Sequence, residues 1–321
     1  MSTKKETTLR LNMPQWQGGN VHNYYFGSEL LAWLAPGANG PVETVAVPEP
    51  KPGETLEVEN GILGRAALLR QARAARRAIE KHRPDRIVTL GGDCLIDLAP
   101  MAYLNRRYGG NLGVLWVDAH PDVLTPKDFA QGNAQVLGAL LGRGDPHLVG
   151  EVDTPVKPSR VMYAGLDAWM PVEGEVINEL GLRRAGSDAL ADSSSPVLDW
   201  IASEGIPHLA VHFDVDVLDP KKFGPVLFNN PDAPADALAD VPRGRIAPDQ
   251  VVRLLQDVAA ACDIVGLAIA EYMPWEAIAT RNMLRKLPLL AGSCDLSEKM
   301  NGVLLAESSR TLRHRGQEDF A

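Results

Sequence analysis

The sequence predicts an α/β fold built on a parallel sheet. Short, nearly continuous runs of Val, Ile and Leu alternate with longer segments of helical period. Clusters of Gly, Asp, His and Glu stand directly after four of those runs, where a parallel sheet gathers its strand ends. The length of 321 residues, 45% of them hydrophobic, supplies a sizeable core. No repeat or low-complexity tract divides the chain, so 1–321 is read as a single domain.

Strands are expected over 86–90, 112–117, 160–164, 209–213 and 264–270. Each is apolar almost throughout, the pattern of a strand covered on both faces. Residues 61–82 carry Ala, Leu and Arg at helical spacing. Ser195 and Pro196 open a helix to about residue 203, with Ser at the cap and Pro in the first turn, and Pro248 opens another to about residue 262. Segments 275–286 and 297–311 read as the last two helices. The Pro-rich stretch 48–53 reads as a loop. Residues 223–245 mix Pro, Asn, Asp and Gly without periodicity; a stretch this long inside a compact unit is a lid or rim, or else a variable surface excursion.

A net charge of -9 and a pI near 5.3 argue against nucleic acid and anionic membrane surfaces as partners, because both demand clustered Lys and Arg. A small cationic substrate suits the balance better. The start, Met1-Ser-Thr-Lys-Lys-Glu, is polar with no apolar stretch behind it, and no apolar run approaches about 20 residues, so neither a secretory signal nor a membrane span is expected. Cys94, Cys262 and Cys294 are odd in number and widely spaced, which is no disulfide framework and fits a reducing cytoplasm.

Gly91-Gly92-Asp93-Cys94 follows the first predicted strand, Asp118-Ala-His120-Pro-Asp122 the second, Asp214-Val-Asp216 the fourth and Glu271 the fifth. Taken singly, an Asp-x-Asp is a turn or a cap. Together, at neighbouring carboxyl ends, five carboxylates and a histidine would repel one another and lose their hydration unless cations sat among them. Carboxylates with one imidazole suit Mn²⁺ in particular, with Zn²⁺, Fe²⁺, Co²⁺ and Ni²⁺ also admitted. The donors exceed the needs of one ion and carboxylates bridge, so two divalent ions are expected; such a pair activates water near neutrality.

With these motifs the chain resembles the ureohydrolases, the arginase, agmatinase and formimidoylglutamase group, over roughly residues 85–310. The resemblance rests on the Gly-Gly-Asp turn at Gly91, the Asp-Ala-His-x-Asp run at Asp118, the Asp-x-Asp-x-x-Asp-Pro run from Asp214 to Pro220 and Glu271 ending a late strand. It implies a three-layer α/β/α fold with a parallel sheet of about eight strands. It also implies hydrolysis of a C–N bond in a small guanidino or amidino compound by a metal-bridging hydroxide. Asp118 and Asp214 would bridge the ions, Cys94 and Asp122 would complete one site, His120 and Asp216 the other, and Glu271 would accept hydrogen bonds from the substrate amidinium. By the same resemblance the chain assembles as a trimer or hexamer.

Three positions depart from that family pattern. Cys94 stands where the family has a histidine; a thiolate is softer and favours Zn²⁺ or Fe²⁺, and the same exchange resembles the hydroxyarginine-hydrolysing branch. Gln135 stands where a Gly-Asn-x-His stretch supplies a proton-shuttling histidine, and the region after Asp122 reads Val-Leu-Thr-Pro instead of offering an asparagine to a substrate α-carboxylate, so arginine itself is not the expected substrate. His212, two residues before Asp214, is expected on the same strand face as Asp214 and Asp216, supporting a ligand or acting in acid/base chemistry. His82, His147 and His314 read as solvated. His22, in the cluster 17–24, reads as a loop residue that would at most reach the crevice rim, and Trp275 as a pocket wall or a helix start. The alternative to a hydrolase is a fold relative that has lost turnover and serves in binding or regulation.

Overall fold

A computed structural model of the chain describes residues 6–234 and 237–291. The helix expected over 297–311, His314 and Cys294 lie outside the described residues. The strands are β1 (Thr8–Met13), β2 (Val42–Thr44), β3 (Val58–Glu59), β4 (Ile62–Leu63), β5 (Arg86–Gly91), β6 (Gly113–Val117), β7 (Val161–Ala164), β8 (Arg183–Ala185), β9 (His208–Asp214) and β10 (Asp263–Ala270). Eight form one sheet in the order β2-β1-β5-β10-β9-β6-β7-β8, every neighbouring pair parallel, while β3 and β4 make a small antiparallel hairpin.

The helices are α1 (Asn23–Leu34), α2 (Arg65–His82), α3 (Leu98–Arg107), α4 (Val136–Leu140), α5 (Pro146–Val149), α6 (Pro171–Leu180), α7 (Ser195–Glu204), α8 (Pro248–Ala261) and α9 (Ala277–Leu284). They cover both faces. On β6, Val114 and Trp116 join one cluster with Leu68, Ala72 and Ile79 of α2 and Leu98 and Met101 of α3. Leu115 and Val117 join the other, with Val197 and Trp200 of α7 and Val251, Leu255 and Val258 of α8. Alternate residues of a strand thus feed two cores, which is why the central strands read as unbroken apolar runs. A parallel sheet with helices on both sides is the three-layer architecture.

The five expected strands lie where they were read, within two residues at either end. Residues 65–82 form α2, whose buried face is Leu68, Leu69, Ala72, Ala75 and Ile79; it stops at Arg83 in the left-handed region, followed by Pro84. In α8, Pro248 fills the first turn and the Gln250 amide oxygen accepts the Ala247 backbone N–H at 2.8 Å. The cap of α7 differs from expectation. Ser195 is already helical, and the Ser194 hydroxyl at the cap bonds the Asp257 carboxylate at 2.6 Å instead of a backbone N–H. The last described helix is shorter than 275–286, because Trp275 precedes it and donates its indole N–H to the Val226 carbonyl at 3.2 Å.

The strands that carry the polar clusters, β5, β10, β9 and β6, are consecutive in the middle of the sheet although far apart in the chain. Their carboxyl ends therefore open onto one crevice, the place where parallel α/β sheets bind ligands.

Candidate metal centre

The turn after β5 is built around Gly92. A Cβ there would stand 1.5 Å from the Gln15 carbonyl oxygen, so only glycine fits. The space it leaves lets Asp93 donate its N–H to Gln15 O (3.0 Å) and Glu271 donate its N–H to Gly92 O (2.6 Å). Three segments are thereby tied at the crevice floor. The Asp93 carboxylate accepts N–H groups from Leu95 (3.0 Å) and Gly18 (2.8 Å) and caps the short turn that carries Cys94. Burial and the neighbouring Glu271 push its carboxyl up to about 8, against the lowering effect of those backbone donors.

The two aspartate runs repeat one local device. Asp118 Oδ1 accepts the His120 N–H at 2.7 Å, and Asp214 Oδ1 accepts the Asp216 N–H at 2.7 Å. One oxygen fixes the turn, as the bland reading of an Asp-x-Asp has it, and the other reaches its neighbours in the cluster. Asp216 sits in a single helical turn beyond β9, not on the extended strand, so it is the turn and not strand alternation that brings it beside Asp214. Asp122 and Glu271 both have positive φ, 55° and 59°. Non-glycine residues held there cost about 1–3 kcal/mol each and concentrate at functional sites.

The side chains converge. Cys94, Asp118, Asp122 and His212 each bring a donor atom within 4.8 Å of the others, as do Cys94, Asp214 and Glu271, and Asp118, His120 and Asp216. Asp118 and Cys94 each belong to two of these groups. Asp214 groups with Cys94 and Glu271 only, the Cys94 thiol lying 3.1 Å from Asp214 Oδ2 and 3.3 Å from Glu271 Oε1. His120 Nδ1 lies 3.1 Å from Asp216 Oδ2 and 3.6 Å from Asp118 Oδ1.

These residues fit a divalent metal pair. Asp118, Asp122, Asp214 and Asp216 are almost wholly buried, and Asp122 Oδ2, Asp216 Oδ1, His120 Nε2 and His212 Nε2 are buried with no hydrogen-bond partner. Burial and mutual repulsion hold the Asp122 and Asp214 carboxyls well above their ordinary range, and burial followed by the surrounding carboxylates does the same to the Cys94 thiol. Cations among them would reverse that cost. Burial opposes the His120 imidazolium, but Asp216 and Asp118 outweigh it and hold that group well above its usual value. Asp118 is itself kept below the usual carboxylate range by His120 and His212, despite its burial.

His212 does not line the cavity. It stacks on Trp116 with ring centres 3.8 Å apart, its Nδ1 lies 2.5 Å from Asp97 Oδ2, and its Nε2 lies 3.4 Å from Asp118 Oδ2. Trp116 donates its indole N–H to the same Asp118 oxygen at 3.0 Å. Burial disfavours the imidazolium, but Asp118 and Asp97 raise it to about 10. Asp97 and Trp116 carry no sequence signal, because neither belongs to a recognisable spacing. Gln135 is also outside the cavity; its amide donates to the Phe129 carbonyl at 2.8 Å and so braces the loop, away from any reacting group. Trp275 lies outside it as well.

Glu271 is pinned by two residues that sequence reasoning gave no role. Tyr24 donates its hydroxyl to Glu271 Oε2 at 2.5 Å, and Asn133 donates its amide to Oε1 at 2.8 Å. Burial, then Glu271 and Asp214, keep the Tyr24 phenol well above its ordinary value, so it remains a donor. Of the cluster 17–24, it is Tyr24, with Gly19 and Val21, that reaches the cavity, while His22 stacks edge-on against Trp16. The cavity holds about 310 Å³. The stretch 223–245 supplies part of its rim through Leu227, Phe228 and Val241, and a bridge between Leu218 and Ile246 joins the segments that flank it.

An eight-stranded parallel α/β sheet with a buried carboxylate, histidine and cysteine centre at its carboxyl edge defines the class of protein. The model of the arginase family matches residues 50–226, and the chain belongs to that family. An arginase of Eremothecium gossypii is 31% identical over 146 residues, covering 41% of this chain and 36% of that protein. The chain spans between about a third and a half of the first curated relatives it matches. Among solved structures, Entamoeba histolytica arginase in complex with L-ornithine superposes with a TM-score of 0.72 at 21% identity, covering 89% of this chain and 97% of that one. The formimidoylglutamase of Bacillus subtilis superposes with a TM-score of 0.63 at 13% identity, covering 89% and 88%. These likenesses establish the fold. No helix among the described residues is long and apolar enough to cross a membrane.

Proposed function

We propose that the chain is a dinuclear metal-dependent hydrolase that cleaves a C–N bond of a small guanidino or amidino compound other than arginine. The observation that carries this reading is three overlapping ligand groups, linked through Asp118 and Cys94, beside a cavity that Cys94, His120, Asp122, Asp214, Asp216 and Glu271 line. Cys94, Asp118, Asp122, Asp214, His120 and Asp216 would hold the ions, with Mn²⁺ favoured by the carboxylate majority and Zn²⁺ or Fe²⁺ by the thiol. A metal pair bound there supplies Lewis acidity and an activated water.

The chain's own residues do the rest. Glu271 presents a carboxylate whose orientation Tyr24 and Asn133 fix; Oε2 retains a lone pair for one N–H of a planar amidinium, and Oε1 gains one for a second N–H when Cys94 gives up its thiol proton to ligation. The apolar wall of the cavity lowers the local dielectric and so strengthens that charge pairing. The test is release of urea, ammonia or amine from a panel of guanidino and formimino compounds by the Mn²⁺-loaded chain. Release abolished in Glu271→Gln supports the reading, and silence across the panel with metals bound contradicts it. That silence is the outcome of the second reading, a binding protein without turnover, which draws on one observation: Gln135 is bonded to loop carbonyls where a proton-carrying side chain would otherwise face the cavity.

A further inference from the structure

We propose that the substrate of this site carries an apolar tail with no carboxylate. This rests on the reading of the inner end as the seat of an amidino or guanidino head, and it concerns the outer end, where the tail must lie. Among the described residues lining the cavity there is no Lys and no Arg. The acidic residues away from the ligand cluster, Glu173 and Asp240, would repel a second carboxylate. Glu173 is buried and accepts the Met170 N–H at 2.8 Å.

What the outer end does offer is apolar surface. Phe129, Trp169, Met170, Leu227, Phe228 and Val241 wall it. Of the eight large hydrophobic side chains exposed among the described residues, three, Phe129 (42%), Met170 (47%) and Val241 (37%), stand around this one cavity. Apolar side chains left in water and gathered about one opening mark a surface that another apolar group covers. The guanidinium groups nearby do not change this. Arg243 lies over the Phe228 ring at 5.2 Å and Arg184 over the Trp169 ring at 4.6 Å, and neither lines the cavity. Both lie over the aromatic walls in cation–π contact.

An alkyl or aryl guanidine or amidine satisfies both ends at once. Its cationic head meets Glu271, and its tail replaces water along the aromatic wall. An amino-acid tail would set its carboxylate beside Glu173 with no lining Lys or Arg among the described residues to pair with it, and buried charged groups left unpaired discriminate more strongly than a missing methylene does.

The experiment is calorimetric binding to the full-length, Mn²⁺-loaded chain of three probes of similar length: hexylguanidine, 4-aminobutylguanidine and 4-guanidinobutyrate. Hexylguanidine is expected to bind at least about tenfold more tightly than 4-guanidinobutyrate. Trp169→Ala should weaken hexylguanidine about fivefold and leave 4-guanidinobutyrate nearly unchanged, and Phe129→Arg, at an exposed position, should narrow or invert the order. Equal or tighter binding of the carboxylate probe or of 4-aminobutylguanidine, or indifference of hexylguanidine to folded Trp169→Ala, overturns the inference while leaving hydrolysis intact. Tight hexylguanidine binding with no product released supports the tail assignment and contradicts the hydrolase reading. Failure of every probe to bind overturns both.

Discussion

Asp97 shows how far the site extends beyond its ligands. Its carboxylate holds the imidazole of His212, which stacks on Trp116 and points its other nitrogen at Asp118. A partner that orients a ligand in this way typically contributes 10–100-fold to metal affinity. Asp97→Asn keeps the shape but removes the charge that holds the His212 proton in place, and it is expected to weaken Mn²⁺ binding about tenfold or more, read by metal titration of folded protein. Unchanged affinity would reduce Asp97 to packing. Asp118, His120, Asp122, Asp214 and Asp216, which the fold brings together, stand out in the sequence because they fall in spaced runs, and Glu271 because it ends an apolar strand. Asp97, Tyr24 and Asn133 were not legible, because each acts through a tertiary contact, 247 positions away in the chain for Tyr24 and Glu271, and Trp116 was not, because its stacking on His212 has no spacing to read.

The central strands were legible because both of their faces are buried, which leaves an apolar run that no other element explains. The edge strands β2 and β8 were not. They are only three residues each, with patterns in which most residues are exposed, so nothing in their composition separates them from loops. Helices α1, α3 and α6 were likewise unread; α3 is nearly all buried and lacks the amphipathic stripe that marks a surface helix. Among the connections, the turn after β5 bears the most constraint. Gly92→Ala would drive a methyl group into the Gln15 carbonyl, and because backbone cannot yield as a flexible side chain does, a loss of about 3 kcal/mol or more is expected in denaturant unfolding. A loss below about 1 kcal/mol would show that the β1 and β5 ends are not locked together as described.

Over the whole molecule, folding brings carboxylates from four distant segments into one apolar crevice, and their protonation is the cost of that assembly in the metal-free state. His120 is held protonated by Asp216 and Asp118, while Asp122 and Asp214 are pushed toward their neutral forms. Ligation requires all of these groups without their protons, so the metal-free chain binds more protons than the loaded one. Mn²⁺ affinity must then rise with pH, and loading at neutral pH is expected to release at least about one proton per chain, measurable by calorimetry in buffers of different ionisation enthalpy. Loading without proton release would contradict the charge arrangement described for the centre.

In the proposed function, the Asp118 and Asp214 runs form a shared centre for a metal pair. Metal analysis of the full-length chain after Mn²⁺ loading and desalting tests it most directly. About two ions per chain are expected for the native protein and about one or none for Asp118→Asn, which removes the shared ligand. No bound metal after reconstitution of folded protein, or an undiminished count in Asp118→Asn, would contradict it.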